Sequence, residues 1–353
     1  MRPRLAINPH KRALAAAAVI TLAAGALTAA LSQPAHAYTS LPAHVYAPYY
    51  ETYLAPNTPG LPATAQASGA KYLTLAFLQS TGKGSCSLDW NGLASQPLSY
   101  YASDIAALRA AGGDVIPSFG GFSADQGGTE IADSCANVSQ IAADYETVIS
   151  TLGVTRLDMD VEAKSLNNTA GIDRRNQAIA MTQAWAASNG IPLQIQYTIP
   201  VEQYGLDPNG EAVLQNAVAD GAVVTSVNIM VFDYYIAGEG TVDMGQAAVN
   251  AATNTHAQLA AIYPSLSSAQ LWTMEAMTLL PGIDDYPKKT EVTSLADAQT
   301  MLNFARANAM NLLSVWAIQR DNGGCPGTRD SNTCSGITQN TWDFSHLLET
   351  FTG

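Results

Sequence analysis

Three carboxylates stand at alternate positions in one short run, Leu157-Asp158-Met159-Asp160-Val161-Glu162. Side chains at i, i+2 and i+4 of a strand share a face. As a strand, this run therefore puts Asp158, Asp160 and Glu162 on one side and Leu157, Met159 and Val161 on the other. Successive acids on that face lie about 7 Å apart. Three ionised carboxylates at that spacing are costly in a low-dielectric interior. The relief is proton sharing, which leaves at least one acid protonated at neutral pH. An acid that keeps its proton at about pH 6 is what cleavage of a glycosidic bond requires of its proton donor. Glu162 ends the run and is the expected catalytic acid. A calcium site is the poorer reading, because ligands on one straight strand do not wrap an ion as a loop does. A buried structural cluster paired with basic residues is the other alternative.

The elements around this run say how it is held. Short apolar, β-branched runs recur at His44–Glu51, Tyr72–Gln79, Asp114–Gly121, Arg156–Glu162, Leu193–Pro200, Ser226–Tyr234, Leu271–Met277 and Leu312–Asp321. Amphipathic stretches lie between them, at Leu98–Ala111, Gln140–Leu152, Ile172–Asn189, Glu211–Ala219, Gln246–Tyr263, Leu295–Asn308 and Thr341–Phe351. Asn168-Thr169 supplies cap candidates, and Gly112-Gly113, Asn189-Gly190 and Asp220-Gly221 sit where helices should stop. Eight strands alternating with helices predict a single (β/α)8 TIM barrel over residues 38–353. A doubly wound open sheet is the alternative, but no Gly-rich phosphate loop follows the first strand. Active sites of barrels lie at the carboxyl ends of the strands, which is where the acids of strand four, Asp233 and Tyr234 of strand six and Trp316 of strand eight fall.

Residues 1–37 read as a secretory signal peptide. Arg2, Arg4, Lys11 and Arg12 form a basic head, Ala13 to Leu31 is uncharged and alanine-rich, and Ala35-His36-Ala37 is a small-x-small cleavage pattern. A membrane anchor is the rival, weakened by the low hydrophobicity of alanine and threonine. No later segment has the length and apolarity of a span, so the expected product is extracellular, monomeric and free of the membrane. The formal charge is −13, and removing four basic leader residues takes it to about −17. A chain this acidic repels nucleic acid and anionic lipid, whereas a neutral polymer is an acceptable partner. Cys86, Cys135, Cys325 and Cys334 allow three disulfide pairings. Cys325 and Cys334 share one polar, Gly-rich loop and are paired locally, which leaves Cys86 with Cys135. No CxxC or HxxxH spacing supports zinc, and no cofactor or metal is expected.

These motifs together resemble the family 18 glycoside hydrolases, the chitinase family. That family's D-x-x-D-x-D-x-E is matched by Thr155-Arg156-Leu157-Asp158-Met159-Asp160-Val161-Glu162, its S-x-G-G by Ser118-Phe119-Gly120-Gly121, and its M-x-Y-D by Met230-Val231-Phe232-Asp233. The strand-eight tryptophan that floors its sugar site looks like Trp316. The motifs fall in order across residues 38–353. A bacterial secreted subgroup is the closest likeness, through Asp173-Arg174-Arg175, Trp316 to Asp321, and the placing of Cys86 and Cys135. The resemblance implies a substrate-assisted, retaining hydrolysis of N-acetylglucosamine polymers. Glu162 would be proton donor and then base, Asp160 the partner of the substrate's acetamide, and Asp158 the store for Asp160's proton. Two positions depart from the pattern. Thr155 replaces the first acid, deep at the start of the strand. Phe232 replaces the tyrosine whose hydroxyl holds the acetamide, and strand alternation offers Tyr234 as its replacement.

The substrate site is further expected to include Trp316 as a stacking platform, with Met230 and Asp233, the latter assisting the proton of Glu162. Gly120 and Gly121 would give close backbone approach beside the acid strand. Of Gln196 and Tyr197, Tyr197 is favoured to face the site. Glu275 is read either as a sugar contact or as a partner of Arg320. The alternatives to a chitinase are an endo-β-N-acetylglucosaminidase acting on N-glycans and a barrel that binds chitin without cutting it.

Overall fold

The computed structural model describes residues 38–54, 58–234, 242–285, 291–329 and 331–353. The segment read as a signal peptide, residues 1–37, lies outside the described residues. The barrel strands are β1 (in two pieces, Val45–Tyr46 and Tyr49–Glu51), β2 (Tyr72–Ser80), β3 (Asp114–Gly120), β4 (Arg156–Asp160), β5 (Gln194–Glu202), β6 (Ser226–Met230), β7 (Glu275–Leu279) and β8 (Leu312–Val315). Each pairs in parallel with the next. The ring closes because the first piece of β1 pairs with β8 and the second with β2. The break in β1 falls at Ala47-Pro48, where proline has no N–H to give to a ladder.

The principal helices between them are α1 (Leu61–Ser68), α2 (Ala102–Ala110), α3 (Val138–Leu152), α4 (Thr169–Ser188), α5 (Pro208–Ala219), α6 (Met244–Ile262), α7 (Leu295–Ala307) and α8 (Asp343–Leu348). Asn168 caps α4 by accepting from the Gly171 N–H at 3.2 Å. Helices α2, α4 and α5 stop just before Gly112-Gly113, Asn189-Gly190 and Asp220-Gly221. The first helix carries no charge, and its repeat was not legible in the sequence.

Register sets what faces inward. Ser118 pairs with Asp158 and Gly120 with Asp160 on one side, and Asp158 pairs with Gln196 and Asp160 with Thr198 on the other. These residues form layers in the barrel interior. Leu157, Met159 and Val161 point outward and are buried in the main apolar core with Val148, Ile172 and Ile179 of α3 and α4. The outer face of β4 is thus apolar as in any barrel strand, and its inner face is unusual in carrying acids. No helix among the described residues is long and apolar enough to cross a membrane.

Two strands shift from their sequence ranges. Leu271–Met274 belongs to a short helix, Ser268–Met274, opened by a Ser267/Gln270 capping box, and β7 begins only at Glu275. Strand β8 ends at Val315, and Ile318–Arg320 makes a 3-10 turn. Both disulfides form as paired from the sequence, Cys86 to Cys135 and Cys325 to Cys334.

Candidate active site

The carboxyl ends of the strands open into a cleft of about 920 Å³. Asp160, Glu162, Gly120, Met230, Asp233 and Trp316 line it, as the sequence predicts, and so do Tyr49, Phe77, Thr198 and Phe232. The floor is aromatic. Trp316 stacks on Phe77 with ring centroids 5.5 Å apart at 24°, and meets Tyr49 edge-on at 5.5 Å and 67°. Such offset and edge arrangements hold rings against one another.

The three acids differ because their neighbours differ. Asp158 is fully buried and receives four hydrogen bonds: from Tyr49 Oη at 2.8 Å, Ser118 Oγ at 2.6 Å, Gln196 Nε2 at 3.0 Å and Thr198 Oγ1 at 2.6 Å. Burial raises its pKa, and those donors pull it back down. Asp160 is buried with an Oδ1 that has no hydrogen-bond partner. Burial, and then the charges of Glu162, Asp158 and Asp125, push its pKa well above the usual carboxylate range. Both acids are thus raised, Asp160 the more strongly because no donor offsets its burial, and a proton shared by the pair is favoured on Asp160. Glu162 keeps some exposure to the cleft, yet enough protein surrounds it that desolvation lifts its pKa to about 7, against the pull of a hydrogen bond from the Phe122 N–H. A carboxylic acid at about 7 can give a proton and take it back at neutral pH.

The glycines serve as expected. Gly120 has φ +94° and Gly121 φ +81°. A Cβ on Gly120 would lie 2.2 Å from the Asp160 carbonyl oxygen, and one on Gly121 would lie 2.5 Å from the Phe77 ring. Only glycine fits there.

Several expected placements are corrected. Tyr234 does not line the cleft: it is fully buried in the outer core, and its N–H bonds Glu291 Oε2 at 3.0 Å. Strand β6 ends at Met230, and Asp233 takes φ +53°, so the two-residue alternation used to place Tyr234 beside Phe232 no longer applies. Phe232 faces the cleft with Met230 and Trp316. Tyr197 also points outward and bonds Asn176 Oδ1 at 2.5 Å. It is Gln196, in register with Asp158, that faces inward. Asp233 borders the cleft, but its hydrogen-bonding neighbour is Asp284. Burial and that neighbour push its pKa to about 10, which makes it a protonated wall residue. Glu275 contacts neither sugar site nor Arg320. It starts β7 at the opposite end of the barrel from the cleft and accepts or gives a hydrogen bond with His256 Nδ1 at 2.7 Å. Arg320 binds Asp285 at 2.9 Å. Thr155 bonds the Thr39 carbonyl at 3.0 Å, at the foot of β4. No group of His, Cys, Asp and Glu among the described residues is arranged to hold a metal.

Sequence reasoning missed Tyr49, Phe77, Thr198 and Asp125. Tyr49 and Phe77 are aromatic residues in apolar runs, with nothing in their spacing to separate them from core. Thr198 could have been found, since it stands two residues beyond Gln196 on the face opposite Tyr197. Asp125 is the sole acid between Gly120 and Glu130, and no periodicity marks it.

Fold and site together define a class: a (β/α)8 barrel of glycoside hydrolase type, with interior acids over an aromatic floor. No family model matches the chain. The chain is 34% identical over 317 residues to a probable bifunctional chitinase/lysozyme of Escherichia coli (strain K12), which takes in 87% of this chain and 34% of that protein. It is 34% identical over 283 residues to endochitinase 11 of Metarhizium anisopliae, covering 78% of this chain and 52% of that one. The chain thus spans about a third and about half of these two curated relatives. Its fold is similar to active domain 2 of the thermostable chitinase from Pyrococcus furiosus, solved as catalytic-site mutants complexed with chito-oligosaccharides. The TM-score there is 0.77 with 28% identity, over 89% of this chain and 96% of that one. Over most of its length the chain is thus similar to chitinases, in sequence and in fold.

Proposed function

We propose that this protein is an extracellular chitinase that hydrolyses β-1,4-linked N-acetylglucosamine chains by substrate-assisted, retaining catalysis. One observation carries the reading: Glu162, raised to about 7, shares the barrel interior, over an aromatic floor, with Asp160, which burial and neighbouring acids push well above the usual carboxylate range. A second carboxylate held neutral is a poor nucleophile but a good hydrogen-bonding group. That suits a reaction in which the substrate's own acetamide oxygen attacks the anomeric carbon.

In this reading a sugar ring lies on Trp316. Glu162 gives its proton to the departing glycosidic oxygen. The acetamide oxygen closes on the anomeric carbon to form an oxazolinium ion, while Asp160 turns toward the acetamide nitrogen. As positive charge develops there, Asp160 passes its proton toward Asp158 and stabilises the ion. Glu162, now a base, takes a proton from water as the water opens the ring, and the configuration is retained. Two disulfides are in keeping with an oxidising compartment, and they support the export that the leader pattern suggests. A monomer acting on a neutral polymer fits the acidic charge.

The test compares the chain with Glu162→Gln on chitin oligomers and on a high-mannose glycoprotein. The wild type should cleave the oligomers only, giving β-anomeric products first by NMR. Glu162→Gln should lose about 100- to 10,000-fold in kcat, the range for a general acid–base, and still bind. Release of N-glycans in place of oligomer cleavage would move the assignment to a glycoprotein endoglycosidase, and binding without products from the wild type would make it a lectin.

A further inference from the structure

The end of the acid strand is unsupported on one side. Strand β3 pairs with β4 as far as Gly120 opposite Asp160, and then turns away at Gly121 into the short helix Phe122–Gly127. On the other side β5 continues, and the Val161 N–H donates to the Thr198 carbonyl at 2.9 Å. Next along the chain is Glu162, whose N–H points back to the β3 side, where no strand carbonyl remains. Ala163 then takes φ +43° and leads the chain out of the barrel.

A side chain fills that gap. Asp125 Oδ2 accepts the Glu162 N–H at 2.5 Å. Asp125 is fully buried, and its Oδ1 has no hydrogen-bond partner. That second oxygen lies 3.1 Å from where a Cβ on Gly120 would stand, beside the Asp160 carbonyl. The start of the same short helix, with the Gly121 that precedes it, touches the acid strand twice more. The Gly121 N–H donates to the Asp160 carbonyl at 3.2 Å, and the Phe122 N–H donates to the Glu162 carboxylate. Behind Asp125, Glu130 accepts from Arg175 at 2.8 Å, and both are buried. The charged groups facing Asp125 are Glu130, Arg175 and Glu162, with Asp160 alongside. Burial, then Glu130, pushes its pKa well above the usual range; asparagine matches its shape and keeps an oxygen to accept the same hydrogen bond.

We propose that Asp125 is the positioning residue for the proton donor: its carboxyl group replaces the strand neighbour that Glu162 lacks, and so fixes the direction and reach of the Glu162 side chain. The proposal rests on Glu162 acting as the acid. A displacement of the donor by about 1 Å costs on the order of 100-fold in rate, so the effect belongs in kcat and not in substrate affinity.

Asp125→Ala and Asp125→Asn should be compared with wild type on chitohexaose, with Tm recorded for each. Asp125→Ala should lose about 10- to 100-fold in kcat with KM within about twofold. Asp125→Asn, whose amide oxygen can take the same hydrogen bond, should stay within about threefold. Hydrogen exchange of the Glu162 amide is an activity-independent readout, faster in Asp125→Ala and unchanged in Asp125→Asn. Normal kcat in folded Asp125→Ala overturns the proposal, as does equal loss in both variants. If Asp125→Ala fails to fold, Asp125→Asn decides alone, and a loss beyond tenfold in it overturns the idea. Wild type that cleaves no oligomer sinks the functional reading, a result distinct from either variant's failure.

Discussion

Removing one donor from Asp158 should move one limb of the pH–rate profile and leave the other in place. Ser118 Oγ bonds Asp158 Oδ2 at 2.6 Å inside the barrel, with both groups fully buried. A hydrogen bond to a charged group contributes about 1.5–3 kcal/mol. At about 1.36 kcal/mol per pKa unit, its loss in Ser118→Ala should raise the pKa of Asp158 by about 1–2 units. Tyr49 Oη still serves the same oxygen at 2.8 Å, so the lower half of that range is expected. Turnover needs the Asp158–Asp160 pair to hold one proton, so its first ionisation sets the acidic limb. Glu162 must be protonated, so its pKa of about 7 sets the basic limb. In kcat/KM for chitohexaose measured from pH 3 to 9, the acidic limb of Ser118→Ala should move up by about one unit, and the basic limb should stay near 7. The optimum narrows and its maximum falls. A basic limb that moves while the acidic limb stays, in a variant with unchanged Tm, would refute the division of roles between the acids.

Two further outcomes follow from the structure. Tyr234→Phe should leave turnover unchanged, because the ring lies in the outer core, and its hydroxyl has no hydrogen-bond partner; thermal unfolding should show equal or slightly higher stability, and a tenfold fall in kcat would return this hydroxyl to the site. Stability should fall as pH rises from 5 to 8. Burial lifts Glu51, Glu162 and Glu291 from 4.5 to about 7, and Glu275 to about 9. Between those values the native chain retains protons that the unfolded chain has released, so the unfolding free energy declines with pH. A 2.5-unit shift corresponds to at most about 3.4 kcal/mol for one group, so a Tm lower by several degrees at pH 8 is expected, and a flat or rising Tm would contradict it.

The barrel was legible because its signals are local. β-branched runs, glycine stops and the Asn168 cap each act within a few residues, and β4 declares its two faces in six. The acids were legible for the same reason. Placements failed where a local rule was carried past its element. Alternation holds only inside a strand, and Tyr234 lies four residues beyond the end of β6. Choosing between Gln196 and Tyr197 required the register of β5 against β4, a long-range property. Asp125 needed the knowledge that β3 stops opposite Asp160, two residues short of Glu162. The aromatic floor joins β1, β2 and the residue just past the end of β8, separated by as many as 267 residues from Tyr49 to Trp316.

The bond between Cys86 and Cys135 closes a ring with a sequence separation of 49. Inside that ring lie all of β3, Gly120 and Gly121, Asp125 and Glu130. The acid strand, starting at Arg156, lies outside it and later in the chain. The covalent frame around β3 is therefore closed by residues that all precede the acid strand in the sequence. The segment that carries Asp125 is then tied to the chain after β2 by a covalent bond that involves no residue of the acid strand.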